Sequence, residues 1–558
     1  TLSYSGATAN NVNVATAGKF INAITLGDAT DGSGGLASNY ALPSLSATSA
    51  NNTVTITAKV VGLSASKTYD ALTTLTGTQV TITTGVGSQT LSYTGATSND
   101  ANVATAGKFI NAITLANAVD SSGGIASNYV LPTLNNANAP VTITPKALSL
   151  SATKVYDGSN TLSGNQITMT GLVGTQTLNY TGATLSDINV ATANKYISAI
   201  TLANGTNGGI ASNYLAPTLT SAYSDNNAAV TPRVVTLSAS KTYDATATLS
   251  GSQVTINTGV GSETLSYSGA TANNVNVATA GKFINAITLV DGSGGGVASN
   301  YALPTLNATT APVTIIKAAL TVSANNATMI YGANVLPSFS ASLTGFMTGD
   351  TSSNAVTGSA SFSTSATVYN GTAGSGSVVG TYSITPALGS LASSNYSFTT
   401  FTPGSLAVNK ASLTITAAND SKVYGASSTT AGVNYNAGGT AVNSTAGYTT
   451  SGLVNGDAIS SVTLTSTGGA VPSNVGTYSI TPSALVGGTN VTSNNYTISY
   501  VNAATGLVVN PKVVTLAATK TYDASNTLNT VVISGLIGSQ TLSYSGATAN
   551  NVNVATAG

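Results

Sequence analysis

At 558 residues the chain is too long for one ordinary domain. Its 15 basic residues balance 15 acidic ones at only 5% charged residues, so no basic field exists to hold nucleic acid and no polybasic patch to hold an anionic membrane. The sequence has no Cys, His or Trp, which removes disulfides, thiol nucleophiles, the usual zinc sites and every His-based general base. Of the acidic residues only Glu263 is Glu and the rest are Asp, which favours turns and caps over helix interiors. No apolar run reaches the ~18 residues that a membrane-spanning helix needs.

Read from the N-terminus, "TLSYSGATANNVNVATAG" at 1–18 returns unchanged at 541–558. The chain is therefore expected to start and stop inside a repeat, without the signal peptide or anchor of a longer protein. Tyr69, Tyr156 and Tyr243 lie 87 residues apart, and Tyr331, Tyr424 and Tyr522 follow at 88, 93 and 98. A second marker, Asn-Tyr, ends at Tyr40, Tyr129, Tyr214, Tyr301, Tyr396 and Tyr496. Each leads through a strand-like run to a basic residue: Lys59, Lys146, Arg233, Lys317, Lys410 or Lys512. Taking these as last residues gives repeats at 60–146, 147–233, 234–317, 318–410 and 411–512, with partial copies at 1–59 and 513–558.

Within a repeat the apolar pattern has period two. Leu148, Leu150 and Ala152 share one side, Val254 pairs with Ile256 and Leu265 with Tyr267, and Phe283, Ile287 and Leu289 share a face. This alternation predicts half-buried antiparallel strands. Gly-, Asn-, Asp- and Ser-rich runs such as "DGSGGGVASN" and "NGTNGGIASN" read as the loops between them. The expected fold is all-β: a tandem array of about 85–100-residue antiparallel β modules, Ig-like β-sandwich or β-grasp-like, as beads on a string. A β-helix is the rival, but no shorter period of 20–30 residues stands out inside the repeat.

Every basic residue occupies a repeated position: a junction, the place before the tyrosine motif, or the "GKFI" and "NKYI" segments of Lys19, Lys108, Lys195 and Lys282. No cluster is left for a singular active site. The tyrosine motif itself is Lys-x-Tyr-Asp, at Lys67, Tyr69 and Asp70; Lys154, Tyr156 and Asp157; Lys241, Tyr243 and Asp244; and Lys520, Tyr522 and Asp523. We read it as a structural strand-to-turn clasp rather than a ligand contact. The carboxylate accepts a nearby backbone N–H, the ring is buried, and the Lys stem lies along the ring with its ammonium in water.

On these motifs the chain resembles the YDG and MBG (YGX-type) repeat domains of large bacterial filamentous-haemagglutinin-like exoproteins and adhesins. "KTYDA", "KVYDG", "KTYDA" and "KTYDA" are YDG-like, although only Gly158 keeps the glycine and Ala71, Ala245 and Ala524 replace it, which weakens the expectation of positive φ there. Repeats 318–410 and 411–512 resemble the MBG type, with "MIYGA" or "KVYGA", then "GFMTGD" or "GLVNGD", then "VGTYSITP". The resemblance implies an extracellular or cell-surface protein exported by two-partner secretion, no catalytic residues, and a β-grasp-like fold for the MBG-type copies.

Neither an enzyme nor a cofactor is expected. Calcium is the one ion left open, through Asp28, Asp31, Asp120 and Asp291 in equivalent loops; repeat 147–233 has no Asp there, and turn chemistry is the plainer account. A self-made isopeptide bond has its Lys nucleophile but lacks the usual Glu. Two functions remain. One is a passive stalk or filament shaft, its partners being neighbouring modules or copies of itself, with self-assembly into fibres or biofilm as a version of it. The other is multivalent binding of polysaccharide or host glycan, which surface-facing Tyr clusters at equivalent places would favour.

Overall fold

The computed structural model describes residues 1–47, 49–488, 491 and 493–557. Contacts divide the chain into two compact units. One is Thr1–Ser238 with Ser250–Ala270 and Ile284–Pro312; the other is Ala239–Leu249, Thr271–Phe283 and Val313–Gly558. Both are built almost wholly from short strands in small sheets, so the array is all-β and repeated, as the period-two pattern predicts. Among the described residues no helix is long and apolar enough to cross a membrane.

Repeat 147–233 shows the plan of the first unit. Its strands are β1 (Lys146–Ala147), β2 (Ser149–Val155), β3 (Ile167–Thr170), β4 (Leu178–Leu185), β5 (Ile197–Asn204), β6 (Tyr214–Leu215) and β7 (Asn226–Thr231). The pairing is not antiparallel throughout. β2 lies between antiparallel β3 and parallel β7, while β4 and β5 form an antiparallel hairpin. β1 and β6 make a short parallel pair that matches Lys146 with Tyr214. Period-two patterning fixes which side chains point inward and leaves strand direction free, so the parallel first-to-last pairing was invisible in the sequence. The β4–β5 hairpin carries a register shift between Thr181 and Thr184. Gly182 there has φ +61°, a bulge geometry that glycine adopts at low cost.

Leu148, Leu150, Ala152, Leu162, Ala183, Leu185 and Ile197 are buried between these sheets. The apolar cluster of the preceding repeat, Val61 to Ile143, continues into Leu148 and Tyr214. The beads of this unit therefore share apolar contacts.

In the second unit, repeat 318–410 has β8 (Ala318–Ala324), β9 (Ala327–Ile330), β10 (Ala341–Thr344), β11 (Ser361–Thr364), β12 (Gly380–Ala387), β13 (Tyr396–Thr402) and β14 (Gly404–Asn409). β8 again sits between an antiparallel partner, β10, and a parallel one, β13. β9, β14, β12 and β11 form a separate four-stranded sheet in that order. The next repeat enlarges the second sheet to five strands. One apolar cluster spans both repeats, from Ala324 through Ile384, Leu413 and Val462 to Leu507.

Candidate functional site at the repeat junctions

The period-two pattern of β2 carries past Leu150 and Ala152 to Lys154, so the lysine points into the core. The Lys67, Lys154 and Lys241 side chains are each 1% exposed, and their Nζ atoms stand 2.6–2.8 Å from Oδ1 of Asp70, Asp157 and Asp244. Lys154 Nζ also donates to the carbonyls of Ser159 at 2.9 Å and Thr161 at 2.8 Å. The expectation of a solvated ammonium is corrected: the strand's parity drives it inside, where main-chain carbonyls and a carboxylate replace water. In the fourth copy Lys520 makes the same carbonyl bonds and meets Asp523 at 2.8 Å, but Tyr522 is exposed.

Asp157 Oδ1 accepts the Ser159 backbone N–H at 2.9 Å, and Asp70, Asp244 and Asp523 accept theirs at 3.0–3.1 Å. Burial opposes ionisation of Asp157 and Asp244, yet the Lys ammonium and the turn's donors hold both carboxyls below the ordinary range. The turn residue takes positive φ whether or not it is glycine: +77° at Gly158 and +62° to +68° at Ala71, Ala245 and Ala524. Replacement by alanine therefore leaves the geometry intact, against the expectation drawn from the missing glycines.

The tyrosine of the motif reaches forward into the next repeat. Tyr156 donates to Glu263 Oε1 at 2.8 Å, and Tyr301, from the repeat holding Glu263, donates to Oε2 at 2.6 Å. Tyr243 and Tyr396 converge on Asp350 Oδ2 at 2.9 and 2.7 Å, and Tyr331 and Tyr496 on Asp457 Oδ2 at 2.9 and 2.8 Å. Tyr69 and Tyr214 meet at Gln176, whose Nε2 donates to Tyr69 at 3.0 Å and whose Oε1 accepts from Tyr214. In all four junctions the two rings stand edge to face, with centroids 5.3–5.5 Å apart. Gln540 donates to Tyr424 in a fifth.

From Tyr129 onward, the Asn of each Asn-Tyr pair reaches backward. Asn128, Asn213, Asn300, Asn395 and Asn495 accept, through Oδ1, the backbone N–H of Val14, Val103, Val190, Val277 and Val379 at 2.6–3.1 Å. The first four also donate from Nδ2 to Asn13, Asn102, Asn189 and Asn276. The loop carrying the acceptor is held from beneath by its own lysine: Lys108 Nζ donates to Val103 O at 2.8 Å and Lys195 Nζ to Val190 O at 3.0 Å. Each repeat is thus gripped forward by a tyrosine and backward by an Asn-Tyr pair.

The electrostatics match. Burial, reinforced by the Glu263 carboxylate, pushes Tyr156 up to about 12, and Tyr301 higher still for the same reasons. Tyr396 is likewise pushed up to about 12 by burial and by its bond to Asp350. The acceptor position, Gln176, Glu263, Asp350 and Asp457, was missed by sequence reasoning. The repeating "VGTQT", "VGSET", "MTGDT" and "VNGDA" strings contain it, but nothing in one string shows that its partners lie 107–126 and 38–46 residues away.

The loop aspartates serve turns. Asp28 and Asp291 accept the N–H of Ala37 and Ala298 at 2.8 and 2.7 Å, and Asp31 and Asp120 bond Ser and Thr hydroxyls. Asn117 and Asn204 take the role of Asp28 in their repeats, toward Ala126 and Ala211 at 2.9 Å. Among the described residues no group of three or more His, Cys, Asp or Glu side chains could hold a metal ion.

The sequence matches two domain types. Residues 139–221 match the family model of the YDG domain. Residues 320–407 and 413–505 match that of the MBG domain (YGX type). No curated protein matches the chain. The YDG match covers Tyr156, Gln176 and Tyr214, and the two MBG matches cover Tyr331, Asp350 and Tyr396, and Tyr424, Asp457 and Tyr496. The same junction chemistry therefore runs through both types.

Proposed function

We propose that the chain is a non-catalytic structural repeat region, a stalk or filament shaft, of a bacterial adhesin-like protein acting outside the cell or at its surface. The observation that carries this reading is the recurrence of one two-way junction between successive repeats, with paired tyrosines on a shared acceptor and an Asn clamp in the opposite direction. A chain of freely hinged binding modules needs no such coupling, whereas a load-bearing array does. The tyrosines of the Asn-Tyr and Lys-x-Tyr motifs in repeats 60–512 are mostly buried in these junctions, which supports a coupling role for them rather than a ligand contact. The repeat-domain matches fit a region without catalysis. Extracellular placement, two-partner secretion and fibre formation rest on the exoprotein resemblance.

Single-molecule stretching of the chain tests the reading. Rupture should come in discrete steps, each releasing about 300 Å of contour per 87-residue repeat, at forces that fall when junction tyrosines are replaced. Smooth extension without discrete steps would contradict it.

A further inference from the structure

In repeats 60–146 and 147–233 the hairpin leaves an opening that the junction does not use. β3 pairs only with β2. β4 pairs with β5 and, near its C-terminal end, with 160–162 through the Thr161–Thr184 bridge, which leaves its Leu178–Thr181 stretch and β3 facing each other as free edges. Between them lies a groove of 880 Å³, lined among others by Gly164, Ile167, Leu178, Asn179, Tyr180 and Thr181. The preceding repeat has its counterpart of 670 Å³, lined by Gly77, Val80, Leu91, Ser92, Tyr93 and Thr94. Each named residue sits 87 positions before its partner. Both volumes fall in the ~300–1,000 Å³ range of small-ligand sites.

Three features narrow the occupant. Among the described residues lining the two grooves none is charged, so neither anion nor cation is selected. The lining instead mixes leucine with hydroxyl and amide side chains. The ring is held at a fixed angle, because Tyr180 donates to Gly164 O at 3.0 Å and Tyr93 to Gly77 O at 2.9 Å, and both stay half-exposed. The same bond argues against an added β-strand. The phenol already crosses from β4 to the turn that opens β3, where a continuous ladder along β3 would have to run. A flat-faced, uncharged, hydroxyl-rich ligand fits: sugar C–H groups on the ring, hydroxyls on Thr, Ser and Asn.

We infer that these grooves are binding sites for a neutral polysaccharide, one per YDG-type repeat, with Tyr93 and Tyr180 as stacking platforms. Tyr267 makes the same bond to Gly251 O at 3.0 Å in the following repeat. Sites at a constant sequence interval let weak individual contacts sum along one glycan chain. The inference goes beyond the shaft reading and does not depend on it, since the groove residues are separate from the junction residues.

The test is hydrogen exchange and calorimetry on the whole chain with cellohexaose, laminarihexaose and maltohexaose, and with polygalacturonate as an anionic control. At least one neutral hexasaccharide should bind and slow exchange in 162–182 and 74–96. Tyr180→Ala should weaken binding about tenfold and remove protection at 162–182 only. Tyr180→Phe, which keeps the ring, should retain most affinity, and exchange in the unaltered chain needs no variant to fold. Failure of all three neutral sugars would overturn the inference, as would preference for polygalacturonate or protection confined to other segments. Loss of groove binding with junction protection unchanged would leave the shaft reading standing.

Discussion

Replacing Tyr331 by Phe removes one oxygen atom from the junction between repeats 318–410 and 411–512. The ring, its burial and its edge-to-face contact with Tyr496 at 5.5 Å are kept. Lost are the bond to Asp457 Oδ2 at 2.9 Å and the one accepted from Asn455 Nδ2 at 2.9 Å. Asp457 and Asn455 are both buried, and Asp457 Oδ1 has no hydrogen-bond partner, so Oδ2 carries the carboxylate's stabilisation. A hydrogen bond to a charged group contributes about 1.5–3 kcal/mol, and an unpaired buried amide donor costs about 1–3 kcal/mol. The sum, discounted for relaxation, is about 2–4 kcal/mol. Native-state hydrogen exchange suits a chain of several repeats, whose unfolding is not two-state. Opening free energies should fall in both repeats, for example at Val408 and at Ile415. A double-mutant cycle with Asp457→Asn should show coupling above about 1 kcal/mol across the junction. A fall confined to repeat 318–410, or coupling below about 0.5 kcal/mol, would refute the reasoning.

A Cβ on Gly332 would stand 2.3 Å from Val454 Cγ2 at φ +80°, so Gly332→Ala should destabilise that junction by about 1–3 kcal/mol, whereas Ala245→Gly, relieving φ +62°, should be neutral or raise stability by up to about 1 kcal/mol; calorimetric melting distinguishes the signs. In alkali, Tyr156 and Tyr396 keep their protons in the folded chain to about 12, against about 10 when unfolded. The folded state then binds more protons, so this stability is complete below about pH 10 and is lost as pH rises through about 12. Melting temperature should drop steeply in that window; a flat profile, or full tyrosinate absorbance by about pH 10.5, would contradict it.

The fold class could be read from period-two strands such as Ser149–Val155 because burial and side-chain parity are properties of a single strand. The partner of each strand was not legible: β7 pairs with β2 in parallel across more than 70 residues, and alternation is silent on direction. The clasp shows both limits. Asp157 and its turn are local and were readable, while the position of the Lys154 ammonium followed from a parity that the general habit of lysine hid. Tyr156 looked like the edge of one repeat because its acceptor, Glu263, belongs to the next. A repeated Asn-Val, as at Asn102 and Val103, gives no sign by itself that Asn213 will dock on it.

The central claim, that successive repeats are held in a fixed relation by the Asn-Tyr and tyrosine–acceptor contacts, is tested most directly by electron–electron spin distances. With no native cysteine, Thr83→Cys and Thr170→Cys give exposed labels in adjacent repeats of the first unit. The account predicts a narrow distance distribution that broadens when Asn213→Ala and Tyr214→Ala are introduced. A broad distribution in the parent chain, unchanged by those substitutions, would contradict it.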